Sequence, residues 1–253
     1  EALALERVEL LEERKAAEMA RKSEEMKSVL LASLAHDLRT PLTAIRLAAT
    51  NLQASWLGED ERRAQSEIVL TEVERLSRLF QNILELARID AGAVESHLRW
   101  VHPLEIVEAA RDQVQQALAG HALAVSADEE MVRTDPRLTA AALSHLLENA
   151  AQYSTAGSPI DVAATIAGAE LRISVRDRGP GISAADLPRL FQRFYRGTHA
   201  TQRWSGTGMG LAITRGLLAV IGGTVRAENA PEGGAIFSLT VPLSDSVERR
   251  AAS

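Results

Sequence analysis

The stretch LAHDLRTPL (34–42) lies in a segment of ninety residues that holds only one proline, Pro41, and one glycine, Gly58. The other seven prolines and fifteen glycines all follow residue 90. A segment so poor in breakers and so rich in Ala, Leu, Glu and Arg favours long helices. The single glycine predicts a helical hairpin, with one arm ending near Ala54 and the other running from about Asp60 to Asp90.

Both predicted arms carry apolar side chains at spacings of three and four residues. The first arm has Leu30, Leu34, Leu38, Pro41, Ile45, Ala49 and Leu52, and the second has Val69, Val73, Leu76, Phe80, Ile83 and Ala87. At about 100° per residue, each set covers one face of a helix. Two helices bury two such faces poorly. Two copies of the hairpin can bury them in a four-helix bundle, so we expect a homodimer.

His36 is the first candidate for chemistry. It lies two residues from both Leu34 and Leu38, so it is expected to project away from the apolar stripe and to face solvent. Asp37 beside it can orient the ring and accept a proton when a ring nitrogen attacks an electrophile. A lone exposed histidine on a helix is most often without function, so this assignment depends on the motifs elsewhere in the chain.

After residue 92 the chain alternates between short apolar segments and turns rich in glycine and proline. The pattern predicts helices at 104–119, 136–152 and 209–221, and strands at 122–126, 160–166, 170–177, 223–229 and 234–242. Strands and helices do not alternate in βαβ fashion, so a Rossmann domain is disfavoured. The expected class is α+β, a sandwich of one sheet on a layer of helices.

Two glycine clusters stand in this second part, DRGPGI (177–182) and GTGMGLAI (206–213). The second opens a predicted helix, where free amides and the positive end of the helix dipole suit a phosphate group. Its G-x-G-x-G spacing is neither the P-loop nor the dinucleotide pattern. A lone glycine-rich turn can be only a flexible loop, but two clusters with Asp177 at a strand end favour a nucleotide pocket.

A third polar group lies on the helix predicted at 136–152. His145, Asn149 and Gln152 are spaced at i, i+4 and i+7 and therefore share one face, while leucines and an alanine occupy the other. Such a polar face is usually only solvated. Beside two glycine clusters, it can also supply an amide oxygen to a hard cation such as Mg²⁺.

Composition excludes several classes of protein. The net charge of −6 argues against a nucleic-acid binder, because no basic excess is available to neutralise phosphates. The chain has no cysteine, which rules out disulfides and thiolate metal sites. No uncharged apolar run approaches the roughly 18 residues of a membrane span. The chain begins at Glu1, so we expect a cytoplasmic piece of a longer protein, which can itself be membrane-anchored.

The ordered motifs resemble the transmitter core of the sensor histidine kinases of two-component systems. LAHDLRTPL resembles the H box, SHLLENAAQYS (144–154) the N box, LFQRFYRG (190–197) the F box, and DRGPGI and GTGMGLAI the two glycine boxes. The stretches LLASLAHDLRTPLTAIRLAATNL (30–52) and ENAPEGGAIFSLTVP (228–242) are most similar to the potassium-responsive KdpD branch.

The resemblance implies how the chain is divided. Residues 1–27 would be a signalling helix or coiled-coil extension, 28–91 the dimerisation and histidine phosphotransfer domain, 92–103 a linker, 104–243 the ATP-binding domain, and 244–253 a disordered tail. The implied fold is a helical hairpin that forms a dimeric four-helix bundle, followed by an α/β sandwich of the Bergerat type, which is shared with DNA gyrase and MutL.

The resemblance also implies roles for single residues. His36 would accept the phosphoryl group, Asp37 would act as base, and Thr40 would position water for dephosphorylation of the regulator. Asp177 would bind the adenine amino group. Asn149 would ligate Mg²⁺, with His145 as a candidate second ligand. The other nucleotide-binding residues would be Tyr153, Gly179, Gly181, Arg193, Gly206, Thr207, Gly208, Gly210 and Leu211.

A lid over ATP is implied for residues 183–205. Phe191 and Phe194 would anchor this lid, and Arg193 or Arg196 would reach either phosphate or the helical domain. Two residues depart from the N box of the family, His145 in place of Asn and Gln152 in place of Lys. An imidazole is a poor Mg²⁺ ligand, and the lost lysine removes a positive charge near the phosphates.

The implied function is an ATP-dependent protein-histidine kinase. It would use ATP and Mg²⁺ to phosphorylate His36, pass the phosphoryl group to an aspartate in the receiver domain of a response regulator, and also act as a phosphatase of that regulator. The two N-box departures keep open a catalytically weak or silent ATP-binding dimeric scaffold. A gyrase-like ATPase without phosphotransfer is disfavoured by the hairpin and by the lack of a glutamate at position 145.

Overall fold

The computed structural model describes residues 34–35, 37–54, 56–197 and 207–244. These residues belong to two compact units, Glu1–Leu79 and Phe80–Ser253. The extension predicted at 1–27, the predicted phosphoacceptor His36, Gly206 and all but the first residue of the predicted tail lie outside the described residues. No helix within the described ranges is both long enough and apolar enough to span a membrane.

The first unit is a helical hairpin, as predicted. Helix α1 includes residues 37–52, and helix α2 spans Glu59–Asp90 and continues into the second unit. The guanidinium of Arg62 donates to two carbonyls of the connecting loop, at 3.2 and 3.3 Å. Asn51 Nδ2 donates to Gln65 Oε1 at 3.2 Å, which joins the end of α1 to the start of α2 across the turn.

The hairpin buries only part of its apolar surface. Its best buried apolar residues are Pro41 and Ala48 on α1 and Leu79 on α2. A single partner helix covers only a narrow seam of each arm, so Ala49 and Phe80 of the predicted stripes stay exposed in one chain. Large apolar side chains that stay exposed on the two helices are Leu42, Leu47, Ile68, Leu70, Val73, Phe80 and Leu84.

The second unit is built on a five-stranded sheet of order β2-β4-β5-β7-β6. Its strands are β2 (Leu123–Ala127), β4 (Ile160–Ala167), β5 (Glu170–Arg176), β6 (Thr224–Asn229) and β7 (Ala235–Pro242). The pair β2–β4 is parallel, and the other neighbours are antiparallel. All five strands lie within a residue of their predicted bounds.

Two short strands were not predicted. β1 (Arg99–Val101) pairs antiparallel with β3 (Val132–Thr134) in a separate two-stranded sheet. β1 lies within the residues predicted as a linker, yet Val101 is only 1% exposed. Three-residue strands carry too little alternation to be recognised from sequence.

Three helices complete the sandwich: α3 (Pro103–Gln113), α4 (Pro136–Tyr153) and α5 (Gly210–Val220). α3 ends six residues before its predicted end, and turns follow it. Alternate residues of β4, β5 and β7 are buried, so one face of the sheet packs on the helices. The α+β sandwich expected from the sequence is confirmed.

The start of α4 is fixed by Asp135. Its carboxylate accepts from the backbone N–H of Leu138 at 3.0 Å, which is the N-cap hydrogen bond of the helix. The other oxygen accepts from the N–H of His97 at 2.7 Å, and Pro136 occupies the first helical position. α4, which carries the polar face at 145–152, is thereby anchored at its beginning.

Candidate nucleotide-binding site

The end of β5 presents a buried carboxylate. Asp177 follows directly after Arg176 and is only 3% exposed. Its Oδ1 atom accepts hydrogen bonds from the backbone N–H groups of Ala235 and Gly179, both at 2.9 Å. Burial raises the pKa of this carboxyl, while the two backbone donors and Arg178 pull it down. Since both donors use Oδ1, Oδ2 can accept a hydrogen bond from a ligand.

Two glycines in the loop after β5 stand where no side chain fits. A Cβ at Gly179 would lie 2.6 Å from the backbone oxygen of Tyr153, at the end of α4. Gly181 has a φ of +79°, and a Cβ there would lie 2.9 Å from Asn229 Oδ1. Asn229 accepts from the N–H of Ile182 at 2.7 Å and donates to its carbonyl at 2.8 Å. The loop is therefore held between α4 and the end of β6.

The second glycine cluster leads into α5, whose first turn is uncapped. Met209 at the N-cap position makes no side-chain hydrogen bond to the helix. Gly208 has a φ of +68°, and its carbonyl accepts from the N–H of Phe194 at 2.9 Å. Thr214 Oγ1 donates to the carbonyl of Ala142 at 3.3 Å and so ties α5 to α4. The amides of this first turn can bind a phosphate beside α4.

The described part of the predicted lid, residues 183–197, is organised around Asp186. This carboxylate is 3% exposed and accepts from the hydroxyl of Tyr195 at 2.7 Å. The guanidinium of Arg189 lies 4.5 Å from the centre of the Tyr195 ring. Phe194 has a φ of +60°, an unfavourable conformation for a bulky residue. The hydrogen bond of Phe194 to the second glycine cluster holds this turn in place.

His145 lies between two carboxylates. Its Nε2 is 3.6 Å from Glu85 Oε2 on α2, and its Nδ1 is 3.7 Å from Glu148 Oε2 on α4. Burial disfavours the charged ring, but Glu148 and Glu85 outweigh that effect and raise the pKa of His145 to about 9. A protonated imidazole has no lone pair for a metal. A Cβ at Gly210 would lie 3.6 Å from His145 Nδ1, so this cation stands beside the first residue of α5.

Arg193 engages the end of α2. Its guanidinium makes a two-pronged salt bridge with Asp90, in which Nη1 is 2.6 Å from Oδ2 and Nη2 bonds to Oδ1. Ile89 lies next to Asp90 and packs against α5, where a Cβ at Gly216 would stand 2.9 Å from Ile89 Cγ2. Of the two partners that the sequence offered for Arg193, phosphate and the helical segment, it contacts the helical segment in this structure.

The second unit brings together most of the residues assigned to nucleotide binding. Asn149 and Tyr153 lie on α4, and a Cβ at Gly179 would abut the Tyr153 backbone, while Thr207, Gly208, Gly210 and Leu211 lead into α5 beside His145. Burial raises the pKa of the Tyr153 hydroxyl, and the charge of Arg196 lowers it by a smaller amount. Asp37 and Thr40 lie on α1 in the first unit.

Sequence reasoning missed several residues that shape this site. They are Glu85, Asp90, Asp186, Asn229 and Gly234. Asn229 and Gly234 lie on either side of the Pro231-Glu232-Gly233 turn. This turn is visible in the sequence as the connection from β6 to β7, so it could have pointed to both residues. Glu85 and Asp90 have partners far away in sequence that no local pattern reveals; the Asp90–Arg193 pair is separated by 103 residues.

The donor set suits a nucleotide. Buried Asp177, the glycine-lined loop and the start of α5 provide an acceptor, close backbone approach and the backbone amides of a helix N-terminus. Among the residues that the structure describes, no three His, Cys, Asp or Glu side chains are grouped to hold a metal ion. His145 is unsuited as a Mg²⁺ ligand in this arrangement. A magnesium ion would therefore rely on the amide oxygen of Asn149 and on the phosphates themselves.

Two family models match the chain. Residues 26–92 match the His Kinase A (phospho-acceptor) domain, and residues 134–245 match the histidine kinase-, DNA gyrase B- and HSP90-like ATPase. The chain belongs to the sensor histidine kinases of two-component systems. The second unit is accordingly an ATP-binding domain of that family.

Curated relatives agree with this assignment. The sensor protein KdpD of Escherichia coli is 35% identical over 247 residues, covering 97% of this chain and 28% of KdpD. The histidine-protein kinase AfsQ2 of Streptomyces coelicolor is 36% identical over 250 residues, covering 92% of this chain and 45% of AfsQ2. The predicted similarity to KdpD is confirmed. The chain spans less than half the length of either relative.

The fold also matches a solved structure. The histidine kinase ThkA, in complex with the response regulator protein TrrA, aligns with a TM-score of 0.68 at 18% identity, covering 88% of this chain and 64% of that one. The fold expected from the sequence, a helical hairpin followed by a Bergerat-type sandwich, is confirmed.

Proposed function

We propose that this chain is the catalytic core of an ATP-dependent kinase that phosphorylates His36 and passes the phosphoryl group to an aspartate of a response regulator. One observation carries the proposal: the loop that follows the buried carboxylate of Asp177 and the first turn of α5 both pack against α4, in a chain that also contains HDLRTP. Family membership and the relatives named as histidine kinases support it.

The first chemical step is phosphorylation of His36. A ring nitrogen of His36 forms a bond to the γ-phosphorus of ATP, the bond from that phosphorus to the β,γ-bridging oxygen breaks, and ADP leaves. Asp37 takes the proton lost from the other ring nitrogen. In the second step a carboxylate oxygen of the regulator attacks the phosphorus and the bond to His36 breaks. The ring then recovers its proton from Asp37.

The nucleotide is held by the second unit. Asp177 accepts a hydrogen bond from the adenine amino group, and the amides at Thr207–Leu211 bind phosphate at the start of α5. Asn149 contributes an oxygen ligand to Mg²⁺, which neutralises phosphate charge when bound. Tyr153 packs at the end of α4 beside Gly179.

The proposed assembly is a homodimer joined through α1 and α2. On α2 the exposed side chains of Leu70, Val73, Phe80 and Leu84 fall within an arc of about 80° at 100° per residue. A second copy of the hairpin is the partner that covers such a stripe in a four-helix bundle. The response-regulator partner is proposed from the family and from the ThkA–TrrA complex. We place this part of the protein in the cytoplasm, where ATP is available.

A second candidate function is a catalytically weak dimeric scaffold that binds ATP. The observation that favours it is His145, which occupies an N-box position and is bound by two glutamates instead of serving a metal. Gln152, where the family has lysine, supplies no charge for the phosphates.

Labelling with γ-phosphate-labelled ATP distinguishes the two functions. The kinase should acquire label that is labile in acid and stable in base, as a phosphohistidine is. His36→Gln should abolish the label while ATP binding persists, and His97→Gln, an exposed histidine outside the proposed site, should label normally. A wild-type protein that binds ATP yet acquires no such label would establish the scaffold function instead.

A further inference from the structure

The end of α2 is attached to the nucleotide-binding domain at three points. Glu85 contacts His145 on α4, Ile89 packs on α5 at the bare backbone of Gly216, and Asp90 takes the bidentate salt bridge of Arg193. These residues of α2 belong to the same compact unit as the domain. We call this surface, formed by Glu85, Ile89 and Asp90, the docking ridge.

Two of the three contacts engage cations that flank the nucleotide site. His145 stands beside the first residue of α5, and Arg193, in the F-box segment, was expected to reach either phosphate or the helical domain. Glu85 and Asp90 therefore form ion pairs with cations that would otherwise attract a triphosphate. Asp90 occupies the Nη1/Nη2 edge of the Arg193 guanidinium and offsets its charge, so Arg193 attracts a phosphate less strongly while this salt bridge is made.

Glu85 also adds a negative charge close to the phosphate-binding turn. Its carboxylate is separated from the start of α5 by a single imidazole ring, with 3.6 Å between Glu85 Oε2 and His145 Nε2. A Cβ at Gly210 would in turn lie 3.6 Å from Nδ1 on the other side of the ring, so the carboxylate is roughly one Debye length, ~8 Å, from the start of α5, and a triphosphate there experiences its repulsion. The site is only partly exposed, which reduces screening further.

We propose that the docking ridge and ATP bind antagonistically: the docked end of α2 lowers the affinity of the domain for ATP, and bound ATP favours release of the ridge. The inference rests on the proposed nucleotide site. The two effects are reciprocal. If docking of the ridge lowers the affinity for ATP by some factor, bound ATP must lower the docking equilibrium of the ridge by the same factor. His145 thereby gains a role in this chain that a metal-ligating asparagine could not fill, as a cation shared between α2 and the nucleotide.

A disulfide tests the antagonism directly. A Cβ at Gly216 would lie 3.8 Å from Ile89 Cβ, the mean separation in disulfides, and the chain has no native cysteine. The double variant Ile89→Cys/Gly216→Cys should oxidise readily. Its oxidised form should bind ATP at least about fivefold more weakly than its reduced form, and reductant should restore the affinity. The single variants Ile89→Cys and Gly216→Cys, treated identically, should show no redox dependence.

The effect of ATP on docking of the ridge gives a second test. Mg·ATP should slow oxidation of the same cysteine pair by a comparable factor, whereas Mg·GTP should not. Glu85→Gln should strengthen ATP binding by about fivefold. Glu74→Gln changes the charge of an exposed glutamate earlier on α2 and should leave ATP binding unchanged.

The outcomes separate this inference from the proposed function. A cysteine pair that stays reduced under oxidant shows that the ridge does not dock, and equal ATP affinities of the oxidised and reduced forms show that docking and binding are independent. Either result overturns the antagonism. A wild-type protein that does not bind ATP at all overturns the proposed function instead. None of these readouts requires phosphotransfer.

Discussion

Gly234 lies directly against Asp177, so that a Cβ on Gly234 would stand 2.1 Å from the main-chain oxygen of Asp177. The next residue, Ala235, exchanges two hydrogen bonds with Asp177: its carbonyl accepts from the Asp177 N–H, and its N–H donates to Oδ1, both at 2.9 Å. The turn between β6 and β7 therefore determines where the carboxylate proposed to bind adenine lies.

Gly234→Ala should displace the end of β5 and impair ATP binding. The new methyl group cannot coexist with the Asp177 carbonyl, and the φ of +84° adds backbone strain. Gly233→Ala is the matched control, because Gly233 has a φ of +97° and nothing within 4 Å of a Cβ. We expect the control to lose about 1–2 kcal/mol of stability from strain alone. Gly234→Ala should lose a further 1–3 kcal/mol or so from overpacking.

Thermal unfolding and ATP titration of the two glycine variants measure these effects. The control should bind ATP with nearly wild-type affinity, because its extra methyl group points into open space. Equal losses of affinity in both variants would show that turn flexibility, and not contact with Asp177, controls the site.

Asp177→Asn should weaken ATP binding by about 10–100-fold while the fold persists. The N–H groups of Gly179 and Ala235 both need an acceptor at the Oδ1 position, so the new amide must place its oxygen there. Its NH₂ group then faces the ligand. Both this group and the adenine amino group are hydrogen-bond donors, so no hydrogen bond can form between them. Guanine carries a carbonyl at that ring position, so the preference for ATP over GTP should shrink. An unchanged ATP-to-GTP ratio in calorimetry would contradict the assignment of Asp177 to adenine.

Thr40→Ala should affect dephosphorylation of the regulator more than autophosphorylation. Thr40 follows His36 by one helical turn in sequence, and its hydroxyl is proposed to position the attacking water. Autophosphorylation should stay within about threefold of wild type, while phosphate loss from the regulator slows by tenfold or more. Thr43→Ala is the control, since the Thr43 hydroxyl donates only to the Arg39 carbonyl of its own helix, at 2.8 Å. Parallel loss of both activities would make Thr40 a structural residue.

The parts of the site that sequence could predict are those encoded locally. The glycine clusters and Asp177 are short motifs at the ends of elements whose periodicity is strong, and β5 and α5 form within a residue of their predicted bounds. The apolar face of α4 is buried as its spacing predicts, with Leu143, Leu146, Leu147 and Ala150 all inaccessible. Here local pattern and tertiary packing agree.

The parts that could not be predicted depend on how distant segments meet. His145 was interpreted as a candidate metal ligand because only its own helix face was visible in the sequence. Against the effect of burial, Glu148 on its own helix and Glu85, sixty residues earlier on α2, raise the pKa of His145. No propensity or spacing rule links His145 to Glu85. The strand β1 was likewise invisible, because its pairing with β3 depends on partners 33 residues apart, Trp100 and Arg133.

The last prediction concerns the dimer. Leu70 is 63% exposed and lies on the α2 stripe, so it should be buried only when a second hairpin packs against it. Leu70→Asp should therefore convert the protein to a monomer without unfolding it, because burying an unpaired carboxylate in the bundle is costly whereas exposing it in the monomer is not. Thr71→Asp introduces the same residue at the neighbouring exposed position, with a similar helix-propensity cost, and should remain dimeric. Light scattering gives the mass of each variant, and circular dichroism shows whether the helices persist. A Leu70→Asp protein that stays dimeric and folded would place the interface elsewhere on the chain.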